Sequence, residues 1–239
     1  MSDAYVDFLR ERRLELEGRI ADACSRAGRD PGEVSLVAVS KTVDVDGVLA
    51  AIEAGHAHFA ENRPQELVRK CAALDEAGLL GSVAMDMIGN LQKNKINQVI
   101  GRASLIHSIS GLHLAEGVSS RSEARGLVSR VLLEVNVSGE GTKSGFSPGE
   151  VTQSLDELLD LRGIEVMGLM TMAPAHDADA ARRTFAGLRE LRDDLEAQTG
   201  HALPVLSCGM SDDFELAVEE GSTLVRLGRV VFDPDYTLG

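Results

Sequence analysis

Eight short apolar runs, separated by longer amphipathic stretches, set the strongest constraint on what this chain can fold into. The runs are Val34–Val39, Ala57–Ala60, Val83–Ile88, Ser104–Ile109, Arg130–Val137, Ile164–Met170, Leu203–Ser207 and Ser222–Leu227. Helix-like segments lie between them, among them Val45–Ala54, Pro64–Glu76, Ser147–Asp160 and Ala178–Ala197. A strand that returns beside its predecessor in the same direction needs a crossover, and an intervening helix supplies it. The alternation therefore predicts a parallel sheet of βα units. Eight units close naturally into a barrel, although an open doubly wound sheet has the same periodicity. The predicted class is α/β: a single (β/α)8 barrel domain over residues 1–239, with a helix within residues 1–30 before the first strand.

Local signals sharpen these boundaries. Leu9, Leu16, Ile20, Ala23 and Ala27 recur at helical spacing before Gly28 and Pro31, which read as a stop. Ser147 and Glu150 make a capping-box pattern with Pro148 at the first helical position. Phe185, Leu188, Leu191 and Leu195 mark one apolar face of the helix after the sixth strand.

Composition narrows the function classes. A net charge of −14 repels phosphate backbones, so the chain is expected to bind neither nucleic acid nor an anionic membrane. The first thirty residues carry charges throughout and no run is long enough to span a bilayer, which points to the cytoplasm. Cys24, Cys71 and Cys208 follow no C-x-x-C pattern and read as packing residues. No metal centre is expected; His56 and His58 alternate along one strand but lack a third ligand.

In a parallel barrel the chemistry sits at the C-terminal ends of the strands, and phosphate binds near the loops after the seventh and eighth. Lys41 ends the first apolar run, where an amine that captures a carbonyl would sit. Ser207, Cys208, Gly209, Met210 and Ser211 follow the seventh strand, with Gly209 permitting close backbone approach and Ser211 predicted to cap the next helix. Arg226, Gly228 and Arg229 end the eighth. These offer amides, a hydroxyl and positive charge suited to a dianion, with Asp212 and Asp213 opposing it if they face the same way.

The segments LVAVSK (36–41), FAEN (59–62), IGNLQKNK (88–95), IHS (106–108), VNV (135–137), KSGF (143–146), GLMT (168–171), LSCGMS (206–211) and VRLG (225–228) together resemble the pyridoxal-phosphate homeostasis protein family, also known as the proline synthetase co-transcribed homologue family. The resemblance spans nearly the whole chain. It implies a barrel like the N-terminal domain of alanine racemase, holding pyridoxal 5'-phosphate as a covalent imine on Lys41. It places Asn62 beside the ring, Arg226 at the pyridine nitrogen, and Ser211 with the backbone around Gly228 and Arg229 at the phosphate, in a loop that Gly209 and Met210 shape. To attack the aldehyde the Lys41 amine has to lose its proton, which burial and neighbouring positive charge both favour. The chain departs from the family pattern at Ala60 and Arg63, at Cys208 for a Met, at Asp86 for a His, at Arg229 for a Thr and at Asp233 for a Gly.

The function implied is a non-catalytic carrier that buffers or delivers the cofactor through a reversible Schiff base. Its expected partners are pyridoxal phosphate and apo forms of enzymes that use it. A pyridoxal-phosphate-dependent racemase is the alternative, needing a proton-transfer group across the ring; Lys143 is the plausible base, with Asn62, His107 and Met170–Met172 nearby. With the sequence running to Gly239, a second domain of the kind a racemase uses is not expected, which favours the carrier reading. A scaffold role for the acidic surface is a third reading. His107 and Ser108 are expected to line the cavity without an Asp partner, Lys93 and Lys95 to lie on a solvated helix start, and Arg229 either to face the phosphate or to turn outward toward Asp233.

Overall fold

A computed structural model describes residues 2–140 and 144–238; Lys143 lies outside the described residues. Eight parallel strands form a closed barrel in sequence order: β1 (Ser35–Val39), β2 (His58–Glu61), β3 (Ala84–Met87), β4 (Ile106–Ile109), β5 (Ser129–Glu134), β6 (Ile164–Met170), β7 (Val205–Ser207) and β8 (Leu224–Leu227). Closure is made by β8 pairing with β1, Leu36 opposite Val225 and Ala38 opposite Leu227. All eight apolar runs contain strands, with ends shifted by one to three residues at most positions; β2 runs on to Glu61, β5 begins at Ser129, and β6 coincides with its run. Val135 leaves β5 to bridge to Phe146, so the fifth strand stops short of Val137.

The helices are α1 (Asp3–Ala27), α2 (Val45–Glu53), α3 (Pro64–Glu76), α4 (Ile96–Val99), α5 (Leu112–Glu123), α6 (Pro148–Leu159), α7 (Ala178–Thr199), α8 (Phe214–Glu219) and α9 (Arg229–Phe232). Gly28 stops α1 in the left-handed conformation at φ 66°, its N–H bonded back to Cys24 and Ser25 carbonyls. Both halves of the Ser147–Glu150 capping box form, the kind of cap that contributes about 1 kcal/mol. Leu9, Leu16, Ile20 and Ala23 are buried, whereas Ala27, the last residue of α1, is exposed. Arg12 and Tyr5 tie α1 to the end of the chain, donating to the carbonyls of Val230 at 2.8 Å and Phe232 at 2.9 Å.

Two apolar cores follow from the strand period of two. Val37, Val39, Ala60, Leu105, Leu132, Met170 and Leu224 pack together inside the barrel. Their neighbours of opposite parity, such as Ala38, Phe59, Leu133 and Val225, join the larger core under the helices. Cys24, Cys71 and Cys208 are free and buried, as packing residues should be. No helix among the described residues is long and apolar enough to cross a membrane.

Candidate functional site

The inward parity that builds the barrel core also selects the site. Continuing past the last inward core residue of β1, β2, β6 and β8 by two positions gives Lys41, Asn62, Met172 and Arg226. These four line one cavity of about 350 Å³ at the C-terminal mouth, together with Val39, Thr42, Ile88, Met170, Met210, Ser211, Asp212, Gly228 and Arg229. That volume falls within the range of about 300–1,000 Å³ typical of small-molecule sites. A larger depression of about 490 Å³ lies on the outer wall by Arg19, Phe214 and Tyr236 and contains neither Lys41 nor Arg226.

Of the nine residues the sequence picks out, seven line this cavity: Lys41, Asn62, Met210, Ser211, Arg226, Gly228 and Arg229. Ser207 sits beneath it, where its Oγ accepts from Arg226 Nη1 at 2.6 Å. Gly209 shapes the loop: at φ +93° it occupies backbone space that a Cβ would fill 2.7 Å from the Ala217 Cβ. Ser211 does not cap α8; Asp213 stands at that position and turns its Oδ1 to the Met210 N–H at 2.6 Å. Burial raises the pKa of the Asp213 carboxyl. Lys41 is exposed, projecting from a turn at the barrel rim.

Arg226 is the buried cation of the site, 6% exposed. Its second guanidinium nitrogen donates to the Thr171 carbonyl at 3.1 Å, and burial pushes its pKa down from the usual arginine value. Ser207 passes the connection on to His107 Nδ1 at 3.0 Å, and His107 Nε2 meets Asp86 Oδ2 at 3.1 Å. His58 Nε2 reaches the same carboxylate oxygen at 2.6 Å. An ionised carboxylate only accepts, so both imidazoles carry a proton on Nε2, leaving His107 Nδ1 to accept the Ser207 hydroxyl proton. Burial lowers the His107 pKa, with Asp86 working against it, which keeps the ring neutral. Burial alone would raise the Asp86 pKa, but the His107 and His58 hydrogen bonds together bring it below the usual carboxylate value.

This chain of groups corrects two expectations. His107 is fully buried one layer below the cavity, and it has the Asp partner that local sequence did not reveal. Asp86 was visible only as a departure from the family pattern, since its partners come from two other strands. His58 is engaged by Asp86, and among the described residues no group of three or more His, Cys, Asp or Glu side chains is placed to hold a metal ion. Ser108 donates to the Gly89 carbonyl at 2.6 Å. Gly89 is required by closeness, since a Cβ there would lie 1.9 Å from the Asn62 carbonyl oxygen. Lys93 is exposed on a short 3₁₀ turn, Lys93–Lys95, as a solvated helix start should be, while Lys95 is half-buried.

At the rim, Arg229 lines the cavity and lies over the Tyr236 ring, and its carboxylate partner is Asp212 at 3.5 Å rather than the expected Asp233. Tyr236 donates its hydroxyl proton to the same Asp212. Among the described residues, the mouth therefore presents one carboxylate, Asp212, and three basic side chains, Lys41, Arg226 and Arg229, around the cavity.

Comparison with known proteins bears on this arrangement. A family model described as alanine racemase, N-terminal domain, matches residues 16–234. The pyridoxal phosphate homeostasis protein of Aquifex aeolicus (strain VF5) is 40% identical over 223 residues, covering 93% of this chain and 96% of that one. The chain belongs to this family. A solved structure of an unknown protein from Bifidobacterium adolescentis superposes with a TM-score of 0.88 at 38% identity, covering 97% of both chains. The family member PipY of Synechococcus elongatus PCC7942, solved with PLP bound, superposes with a TM-score of 0.78 at 32% identity, covering 89% of this chain and 99% of that one. The fold is the barrel of the alanine racemase N-terminal domain, as the family resemblance implied.

Proposed function

We propose that this protein binds pyridoxal 5'-phosphate at the barrel mouth and holds it for release to other proteins, without turning over a substrate. The observation that carries the reading is the convergence of the Lys41 amine, Asn62, the buried Arg226 guanidinium, and Ser211 with Gly228 and Arg229 on one cavity. The donor set suits the group: an amine for an aldehyde, cations for a dianion, and a donor-only guanidinium for a ring nitrogen. When bound, pyridoxal phosphate supplies an aldehyde that a primary amine captures reversibly, so another amine can displace it. Lys41 supplies that amine from the exposed rim, where an incoming amine has access. Arg226, held by Ser207 and Thr171, would donate to the ring nitrogen and keep its own proton.

The non-catalytic part of the reading rests on the charged groups at the mouth. Besides Lys41, the titratable side chains among the described lining residues are Asp212, Arg226 and Arg229. Asp212 is engaged by Tyr236 and Arg229, and His107 is buried below. Delivery to apo forms of pyridoxal-phosphate-dependent enzymes follows from the reversibility of capture. The test is an absorbance spectrum and borohydride trapping of the purified protein and of Lys41→Ala. The parent should trap the cofactor at Lys41, and the variant should lose the trapped product while keeping its fold, since an exposed side chain is removed. A variant that traps as the parent does refutes the assignment.

A further inference from the structure

Below the rim, a buried ion pair has no place in the cavity. Lys70 on α3 and Glu61 at the end of β2 are 1% and 0% exposed, and neither lines the site. Burying two charges costs several kcal/mol, roughly, before their attraction offsets it. Leu67, Cys71 and Leu74 on the same helix show that apolar residues serve its packing. The pair is explained by what it binds.

Lys70 Nζ has three protons and uses all of them. It donates to the Ser40 carbonyl at 2.7 Å, to the Val43 carbonyl at 2.8 Å, and to Glu61 Oε1. Ser40 and Val43 are the first and last residues of one turn, closed by the Val43 N–H on the Ser40 carbonyl at 3.1 Å. Lys41 is the second residue of that turn. Glu61 Oε1 also accepts the Ser40 hydroxyl at 2.8 Å, and its Oε2 faces the Asn62 N–H at 3.3 Å. The pair thus grips both ends of the turn that carries Lys41 and the backbone that carries Asn62. Its parity explains the placement: Glu61 alternates with the inward Ala60 and Asn62, so it points under α3 and away from the barrel axis.

We infer that Lys70 and Glu61 are positioning residues that fix the Lys41 turn against Asn62, so that capture at Lys41 proceeds from a preset geometry. The inference rests on the assignment of Lys41 as the capturing amine. An exposed lysine on an unbraced turn samples many directions, and a reacting group must be held to be effective. Neither residue touches the ligand, so their loss should affect capture without affecting how the ring and phosphate bind.

The test uses the full chain with Lys70→Met and, because an unpaired buried carboxylate is costly to the fold, also Glu61→Gln, which keeps an acceptor. Hydrogen exchange of the Ser40 and Val43 amides is measured by NMR without cofactor. Borohydride trapping follows the rate of capture of pyridoxal phosphate, and titration with pyridoxine 5'-phosphate, which has an alcohol in place of the aldehyde, measures binding without capture. Both variants should speed exchange at Ser40 and Val43 by about tenfold or more relative to amides of β5 and β6. Capture should slow by about tenfold, with pyridoxine phosphate affinity within about twofold of the parent. Unchanged turn exchange with unchanged capture overturns the inference, and so does an equal loss of capture and pyridoxine phosphate binding, which marks a merely structural role. A parent protein that captures nothing at Lys41 overturns the assignment on which the inference rests, while the exchange data still decide whether the pair holds the turn.

Discussion

His56 should make this protein acid-labile well above the pH at which carboxylates protonate. The side chain lies just before β2, at the N-terminal end of the barrel, 5% exposed, and its Nε2 has no hydrogen-bond partner. Burial, reinforced by the nearby Arg13 guanidinium and opposed by the Leu9 carbonyl, lowers its pKa from 6.5 to about 4. The folded state therefore refuses a proton that the unfolded chain accepts. The resulting stability is complete above 6.5 and is lost as pH falls from 6.5 toward about 4. Linkage at about 1.36 kcal/mol per tenfold change in proton affinity makes the loss ~2 kcal/mol by about pH 5, and ~3 kcal/mol below about pH 4. That is a large share of the roughly 5–15 kcal/mol by which domains are stable. Urea unfolding of the parent and His56→Gln at about pH 7.5 and about pH 5 isolates the contribution, since glutamine stays neutral and keeps a donor for Leu9. The parent should lose ~2 kcal/mol more than the variant over this range. Equal losses in the two proteins would refute the argument from burial.

Three further outcomes follow from the site. Arg229→Thr should weaken pyridoxal phosphate binding by about 1–2 kcal/mol, as loss of one charge-assisted contact does, and leave phosphate-free pyridoxal nearly unaffected; equal losses by calorimetry would remove Arg229 from the phosphate. If Arg226 donates to the ring nitrogen as proposed, added amino acids should exchange no α-proton in deuterated water by NMR, whereas rapid exchange that depends on Lys41 and Lys143 would favour the racemase alternative. Asp86→Asn should cost about 1–3 kcal/mol at neutral pH by weakening the acceptor shared by His58 and His107. Because the Asp86 pKa lies below its ordinary 3.8, this carboxylate stabilises above that value and the contribution fades as pH falls through the lower folded value; unfolding of the variant should lose less stability in that acid window, and matching acid profiles would contradict it.

The order of elements was legible in the chain because each is specified locally. An apolar run of strand length, a stretch at helical spacing, and a cap such as Ser147 with Glu150 all depend on residues within a turn or two of one another. The motif resemblance and the end-of-strand rule then singled out Lys41, Asn62, Arg226 and Gly228, and period-two alternation turns these inward once the barrel exists. Closure itself was not legible: the pairing of β8 with β1 joins residues about as far apart in the chain as strands can be, and local periodicity is the same in an open sheet. The same distance in sequence hid Asp86 between His58 and His107, the Ser207 link to Arg226, and the grip of Lys70 on the Lys41 turn. Ser211 and Lys41 show the complementary limit. A capping position and a degree of burial depend on where the loop is carried, so the chain supplies the hydroxyl and the amine, while the tertiary structure decides that Asp213, not Ser211, stands at the start of α8 and that Lys41 stands exposed at the rim.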